Sequence, residues 1–295
     1  MIVSRLISGL GNQLFQYAVG RQLSLNHSTV LKLDTSFFEG QNLRSYKLDK
    51  FNINATVATD VEIASYLDIY TNKSLFYKLY RRIEARRPKN KKRVFREAEW
   101  WVYEPEVFLA SSNVYLDGYW QHYKYFENLA PSILDELTLK EPYNHSVTKL
   151  EEEIVNNSSS VAVHVRRGDY ITDTNAYNFM GVMPISYYKQ ALEYIKTRVV
   201  DPHFYFFSDD LCWVRDNLIT DSSMSIVEVE NGADYLDLDL MSKCAHNIIA
   251  NSSFSWWGAF LNRNLNKVVV APKQWVVQEE VNKRIEIIFP SWVKL

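Results

Sequence analysis

The chain has 295 residues, of which 47% are hydrophobic, 14% aromatic and 23% charged, and its formal net charge is -2. This composition suits one large globular domain or two of ordinary size, and it excludes collagen-like or disordered character. The near-neutral balance excludes a global attraction to nucleic acid.

Ile2 to Ile7 predicts a short strand and Ser8 to Asn12 a glycine-bearing loop. Gln13 to Asn26 carries Leu14, Phe15, Ala18, Val19 and Leu23 near helical spacing. A second strand is expected at Val30 to Asp34. Strand–helix–strand order implies a parallel pair and an α/β domain. Residues 60 to 96 read as helix and become basic. Ten Lys and Arg fall between Lys78 and Arg96, against the single acid Glu84. Val114 to Trp120 reads as strand and turn, and Phe126 to Leu139 as helix. Glu141-Pro142-Tyr143-Asn144 is the strongest breaker in the middle of the chain.

A second α/β pattern begins near 160. Strands are expected at Val161–Val165, His203–Phe207, Ile226–Val229, Asn247–Ala250 and Lys267–Ala271. Helices are expected at Ile185–Arg198, Leu211–Leu218, Tyr235–Ser242 and Phe254–Asn264. This alternation predicts a second doubly wound sheet, and the domain boundary is placed near 150. Two such domains are expected to face each other across a ligand cleft. No internal repeat is evident. No apolar run approaches the roughly 18 residues that a membrane span needs. Met1 to Arg5 show no secretory leader, so a cytoplasmic location is expected and sequons such as Asn54-Ala55-Thr56 read as chance. Cys212 and Cys244 are too few for a disulfide framework or a zinc cluster.

Four motifs carry chemistry. His164-Val165-Arg166-Arg167-Gly168-Asp169-Tyr170 follows a buried strand, at the sheet edge where open α/β folds bind ligands. A guanidinium matches phosphate oxygens with a planar fork of donors. On an extended strand Arg166 shares a face with His164, whereas Arg167 points away into a structural role. Asp169 orients an arginine or caps the next turn. An ordinary surface ion pair is the competing reading. Asn251-Ser252-Ser253-Phe254-Ser255-Trp256-Trp257-Gly258-Ala259 links a buried strand to a helix, and a helix N-terminus binds phosphate. Trp256 and Trp257 are expected in the core. Phe206 to Trp213 is again a strand end and a capped helix, where Asp209 and Asp210 favour the helix dipole. Asp237 and Asp239 are rejected as a metal pair, because residues two apart on a helix diverge; Asp234 or Asp237 can instead accept hydrogen bonds from guanine. Ser8 to Gln13 lacks both the Gly-x-Gly-x-x-Gly spacing and the lysine of a phosphate loop, which disfavours dinucleotide and ATP binding. The basic 78–96 stretch reads as a solvated face, or as a surface for an anionic membrane or a lipid-linked diphosphate.

Gly9 to Ala18, His164 to Tyr170, Phe207 to Asp210 and Asn251 to Ala259 together resemble glycosyltransferase family 11, the α-1,2-fucosyltransferases. The motifs run in the family's order over most of the chain. The resemblance implies a GT-B architecture of two facing Rossmann-like domains. Residues 1–150 would form the acceptor side and 151–295 the GDP-sugar domain. It implies inverting, metal-independent transfer of L-fucose from GDP-fucose to O2 of a terminal β-galactoside in bacterial surface glycan synthesis, with no cofactor. By the same resemblance Arg166 is catalytic and contacts the β-phosphate. His164 contacts the nucleoside and Ser253, Phe254 and Ser255 contact phosphate. Arg167, Asp169, Ser208, Asp209 and Asp234 complete the donor site, and Gly11, Asn12 and Gln13 line the cleft. Two alternatives stay open. One is a related transferase with another linkage, acceptor or GDP-deoxyhexose. The other is a non-catalytic nucleotide- or glycan-binding protein.

Overall fold

A computed structural model of the chain describes every residue except Asn42 and Asn231. It divides into two compact units, Met1–Thr138 and Leu139–Leu295. The first contains β1 (Ile2–Arg5), α1 (Leu10–Asn26), β2 (Leu31–Asp34), β3 (Thr56–Val57), α2 (Asp60–Thr71), α3 (Leu75–Arg86), β4 (Val94–Arg96), β5 (Val114–Asp117) and α4 (Ala130–Glu136). The second contains α5 (His145–Asn156), β6 (Ser160–Val165), α6 (Gly168–Thr172), α7 (Thr174–Met180), α8 (Ile185–Lys196), β7 (His203–Ser208) and α9 (Leu211–Asn217). It continues through β8 (Met224–Ile226), α10 (Asp234–Lys243), β9 (His246–Ile248), α11 (Ser253–Leu261), β10 (Val269–Ala271), α12 (Glu279–Asn282) and β11 (Val293–Lys294).

Both sheets are parallel throughout. The first runs β3-β2-β1-β5-β4 and the second β11-β10-β9-β6-β7-β8. Helices cover such sheets on both faces, so the strands read as continuous apolar runs. β6 is buried along its whole length. In the second unit Val161, Val163, Phe204, Phe206, Ile248 and Val270 pack with Tyr188, Ala191 and Ile195 of α8. In the first, Val3, Tyr66, Val94 and Tyr115 form a smaller cluster. Gly20 lets α1 approach its sheet, since a Cβ there would stand 2.8 Å from Leu31 Cδ1 and 3.1 Å from Ser4 Cβ.

Strand order decides where ligands gather. Each sheet grows one way from a central strand, then reverses. The reversal lies between β1 and β5 in the first unit and between β6 and β9 in the second. In open α/β sheets the crevice beyond the carboxyl ends at this reversal is the usual ligand site.

Several expectations differ from the structure. The glycine loop before α1 is shorter than expected, because Leu10 already begins the helix and Gly9 is its N-cap. Gly11, Asn12 and Gln13 therefore stand in the first helical turn. The single basic helix expected from 60 to 96 is two helices and a strand: Asn72 and Ser74 separate α2 from α3, Pro88 follows α3, and β4 pairs with β5. The helix expected at Phe126–Leu139 begins with a 3-10 turn at Glu127–Leu129 and becomes α-helical only at Ala130. The boundary near 150 would cut α5. The chain divides after Thr138 instead, and Asn144 caps the start of α5, its side chain accepting the Val147 N–H at 3.1 Å. β8 ends at Ile226, where a strand to Val229 was expected.

Candidate active site

The site in the second unit is built where β6, β7 and β9 end. β6 stops at Val165, so Arg166 and Arg167 stand just beyond it and Gly168 opens α6. Arg166 pairs with Asp169 and, through Nη1, with Asp209 Oδ2 at 2.7 Å. Its guanidinium carbon lies 5.4 Å from the Tyr170 ring centroid. Asp209 Oδ1 accepts the Arg167 N–H at 2.8 Å. One carboxylate thus holds the side chain of the first arginine and the backbone of the second. Gly168 allows this approach, because a Cβ there would fall 2.6 Å from Asp209 Oδ2.

The two arginines have different surroundings. Arg167 lies over Trp213, 4.1 Å from ring centroid to guanidinium carbon, and donates through Nε to Asp210 Oδ2 at 3.0 Å. Stacking and pairing together commit this side chain to joining β6 to α9. Asp210 also caps α9 by accepting the Trp213 N–H at 3.1 Å, while Ser208 Oγ accepts the Asp210 N–H at 2.9 Å. Trp213 went unread at the sequence level. Its signal was its place three residues after a capping aspartate.

His164 is the last but one residue of β6 and is only 4% exposed. Burial first, and then the nearby Arg166 charge, push its imidazole down to about 3, so it is neutral. Its Nδ1 is buried without a hydrogen-bond partner among the described residues. An orphaned buried ring nitrogen is costly and points to a ligand group that the protein does not supply. Phe254 lies beside it, with ring centroids 5.4 Å apart.

Beyond β9, Asn251 is fully buried, and its amide donates to Met180 O at 2.8 Å and Trp275 O at 3.1 Å. Tyr170 OH donates to Asn251 O at 3.2 Å, tying this loop to the arginine segment. Ser252 caps α11 by accepting the Phe254 N–H at 3.3 Å. Ser253 to Ser255 form the first turn of α11, the end of a helix at which amide groups point outward. Ser255 is 1% exposed and its hydroxyl turns inward to Ala250 O and Ser252 O. Its side chain is therefore engaged in the fold, and its amide is the group suited to an anion. Trp256 and Trp257 are fully buried, as expected.

Asp234 begins α10, with Asp237 in the same first turn. Burial, then the Asp234 charge, raise Asp237 to about 7. Asp237 and Asp239 part company on the helix, as expected. Asp239 pairs with Lys243 at 3.1 Å and accepts the Tyr143 hydroxyl. Among the described residues no three His, Cys, Asp or Glu side chains form a metal-binding group.

In the first unit, Asn12 Oδ1 accepts Gln121 Nε2 at 2.7 Å. Gln13 bonds Ser8 O, Ser45 O and the Lys47 N–H, and Gln16 reaches Gly118 O at 3.1 Å. Asn12 and Gln13 thus join α1 to the loops around it. Asp34, Asp117 and Glu97 lie at the carboxyl edge of the first sheet. Tyr115 donates to Asp34, Arg5 pairs with Asp117 at 3.0 Å, and Glu97 accepts the Tyr119 and Trp120 N–H groups at 2.6 and 3.0 Å. Burial raises Glu97 to about 7 despite these donors.

Over residues 3–295 the chain matches Glycosyl transferase family 11. It is 32% identical to an α-1,2-colitosyltransferase of Escherichia coli over 307 aligned positions, covering 100% of this chain and 99% of that protein. It is 31% identical to the Escherichia coli O-antigen biosynthesis glycosyltransferase WbnK, covering 99% of each. Among solved structures it is similar to the α-1,6-fucosyltransferase NodZ soaked with GDP-fucose. That likeness has a TM-score of 0.54 at 16% identity, over 88% of this chain and 91% of that one. The fold is accordingly the α/β GT-B type. Sequence, two parallel sheets and whole-chain similarity lead to one conclusion: the chain belongs to glycosyltransferase family 11.

Proposed function

We propose that this glycosyltransferase moves L-fucose from GDP-fucose to O2 of a terminal β-galactoside, inverting the anomeric carbon without a metal ion. The observation that carries the reading is the placement of Arg166 beyond β6, at the reversal of strand order, with α11 starting beyond the neighbouring β9. A guanidinium and a helix N-terminus are both suited to a diphosphate. In the step itself, the bond from the sugar's C1 to the β-phosphate oxygen breaks. The acceptor oxygen bonds to C1 from the opposite face, and its proton leaves to solvent or to a base that we do not name. Negative charge grows on GDP, and Arg166 with the 253–255 amides meets it. Asp169, Asp209 and Asp210 are ion-paired to the arginines, which supports giving the metal's usual task to cations of the chain. The orphaned Nδ1 of His164 would take a nucleoside hydroxyl, and Asp234 the guanine edge. Ser208 and Arg167 would hold the surrounding loops. Asn12 and Gln13 would shape the acceptor side of the first unit. The product would be a surface polysaccharide made at the cytoplasmic side, with the acceptor carried on lipid.

A second donor has specific support, because a relative of full length is named a colitosyltransferase. Colitose differs from fucose by lacking the hydroxyl at C3. A site that hydrogen-bonds that hydroxyl would reject colitose strongly, whereas a site that packs against C3 would discriminate weakly. The test offers GDP-fucose and GDP-colitose separately, with a panel of β-galactosides, and reads linkage by NMR. Turnover with GDP-fucose to an α-1,2 product supports the proposal. Turnover with GDP-colitose alone replaces the donor, and galactoside binding without GDP binding would make the protein a lectin. An arm with chelator tests the metal: activity lost and restored by Mn²⁺ would overturn metal independence.

A further inference from the structure

We propose that α3 is a membrane-docking helix that lies in the surface of an anionic lipid bilayer. Helical spacing places Leu75, Phe76, Leu79 and Ile83 on one face. They are 82%, 73%, 60% and 49% exposed. The opposite face is anchored to the protein. Arg81 donates to Ile69 O and Asn72 O at 2.9 and 2.7 Å, and the buried Glu84 accepts from the Arg93 amide and from Arg87. Folding thus fixes the helix by its polar side and presents its apolar side outward, the reverse of a core helix.

Charge selects the occupant. Lys78, Arg82 and Arg86 are exposed beside the apolar stripe, and Lys91 is exposed just beyond the helix. The one acid of the 78–96 stretch, Glu84, is 1% exposed and turned into the protein. A second copy of the chain on this face would set cations against cations. An anionic headgroup layer complements them, while the acyl boundary accepts Phe76 and the leucines. No described helix is long and apolar enough to cross a membrane, so the element lies on the surface. The proposal does not depend on which sugar is transferred.

The test is sedimentation of the full chain with vesicles of phosphatidylcholine, with and without phosphatidylglycerol. Binding is expected only with phosphatidylglycerol, and it should weaken in high salt. Lys78→Ala, Arg82→Ala and Arg86→Ala should each weaken partitioning about fivefold. Phe76→Ser with Leu79→Ser should abolish it while thermal stability is largely kept, since both side chains are mostly exposed and Phe76 meets the rings of Tyr77 and Tyr80 on its own helix. Equal binding to neutral vesicles, wild-type binding by the serine variant, or no binding at all would overturn the proposal. So would a dimer that dissociates when Leu79 is replaced by serine, which would assign the face to a second copy.

Discussion

The Arg166 guanidinium and the Asp209 carboxylate meet at 2.7 Å, although they end different strands, β6 and β7. Asp209 therefore sets where the arginine stands, and it also offers the negative charge that a diphosphate would replace. Its other oxygen holds the Arg167 amide, so Asp209 can release the guanidinium without leaving the loop.

Arg166→Ala is expected to lower kcat/KM by about 10²–10³, as when one preorganised donor to a developing anion is lost. The protein should still fold, because the side chain is a fifth exposed and its loss lets Asp169 and Asp209 hydrate. Steady-state kinetics alongside a melting curve decides the matter, and near-normal kcat/KM would remove Arg166 from the chemistry.

Gly168→Ala puts a methyl where Asp209 Oδ2 stands and must push that carboxylate aside. GDP affinity should fall about tenfold, the loss of one charge-assisted hydrogen bond's worth of positioning. Calorimetry reads it directly. Tighter binding would recast Asp209 as a competitor of the diphosphate.

His164 gives a pH signature. Its folded value, about 3, lies below the ordinary 6.5. The unfolded chain therefore binds the extra proton first as pH falls, and stability declines below about 6.5. From pH 6.5 to 5 the loss is about 2 kcal/mol. Glu97 and Asp237, both raised to about 7, act in the opposite sense, holding protons in the folded state. The comparison that isolates the histidine is wild type against His164→Asn. The variant should lose less stability on acidification, and parallel curves would show that the imidazole is not held neutral.

Asn251→Ala removes the amide that bridges Met180 O and Trp275 O from a fully buried position. Two carbonyls are then left without this donor. A destabilisation of about 1–3 kcal/mol is expected in chemical denaturation, with GDP binding weakened because the Ser252–Ser255 turn follows directly.

The parts of the fold that could be read from sequence were those with local signals. β6 and β7 are buried on both sides and appear as unbroken apolar runs. Asp210 and Ser252 announce their helices as caps, whereas Asn144 was read only as part of a breaker and the helix it caps, α5, was not expected. The two-residue strands β3 and β11 leave no periodicity to detect, and their pairing is fixed by neighbours distant in sequence. α6 and α7 are short, polar and partly exposed, so no apolar stripe marked them. At the site, strand alternation already set Arg166 apart from Arg167, but the partners that fix each were not legible: Trp213 and Asp210 engage Arg167, and Asp169 and Asp209 engage Arg166. For Ser255 the sequence pointed to contact with phosphate, and packing turns its hydroxyl toward its own backbone.

The cluster around Lys243 reaches beyond local packing. Lys243 pairs with Glu151 of α5 and with Asp239, and Tyr143, which precedes α5, bonds to both Lys243 and Asp239. The far end of α10 is thereby bolted to the stretch through which the polypeptide enters its C-terminal half, while the near end carries Asp234. A nucleotide bound at that aspartate would therefore meet a helix whose other end is already held, so that α10 would move as one body with α5.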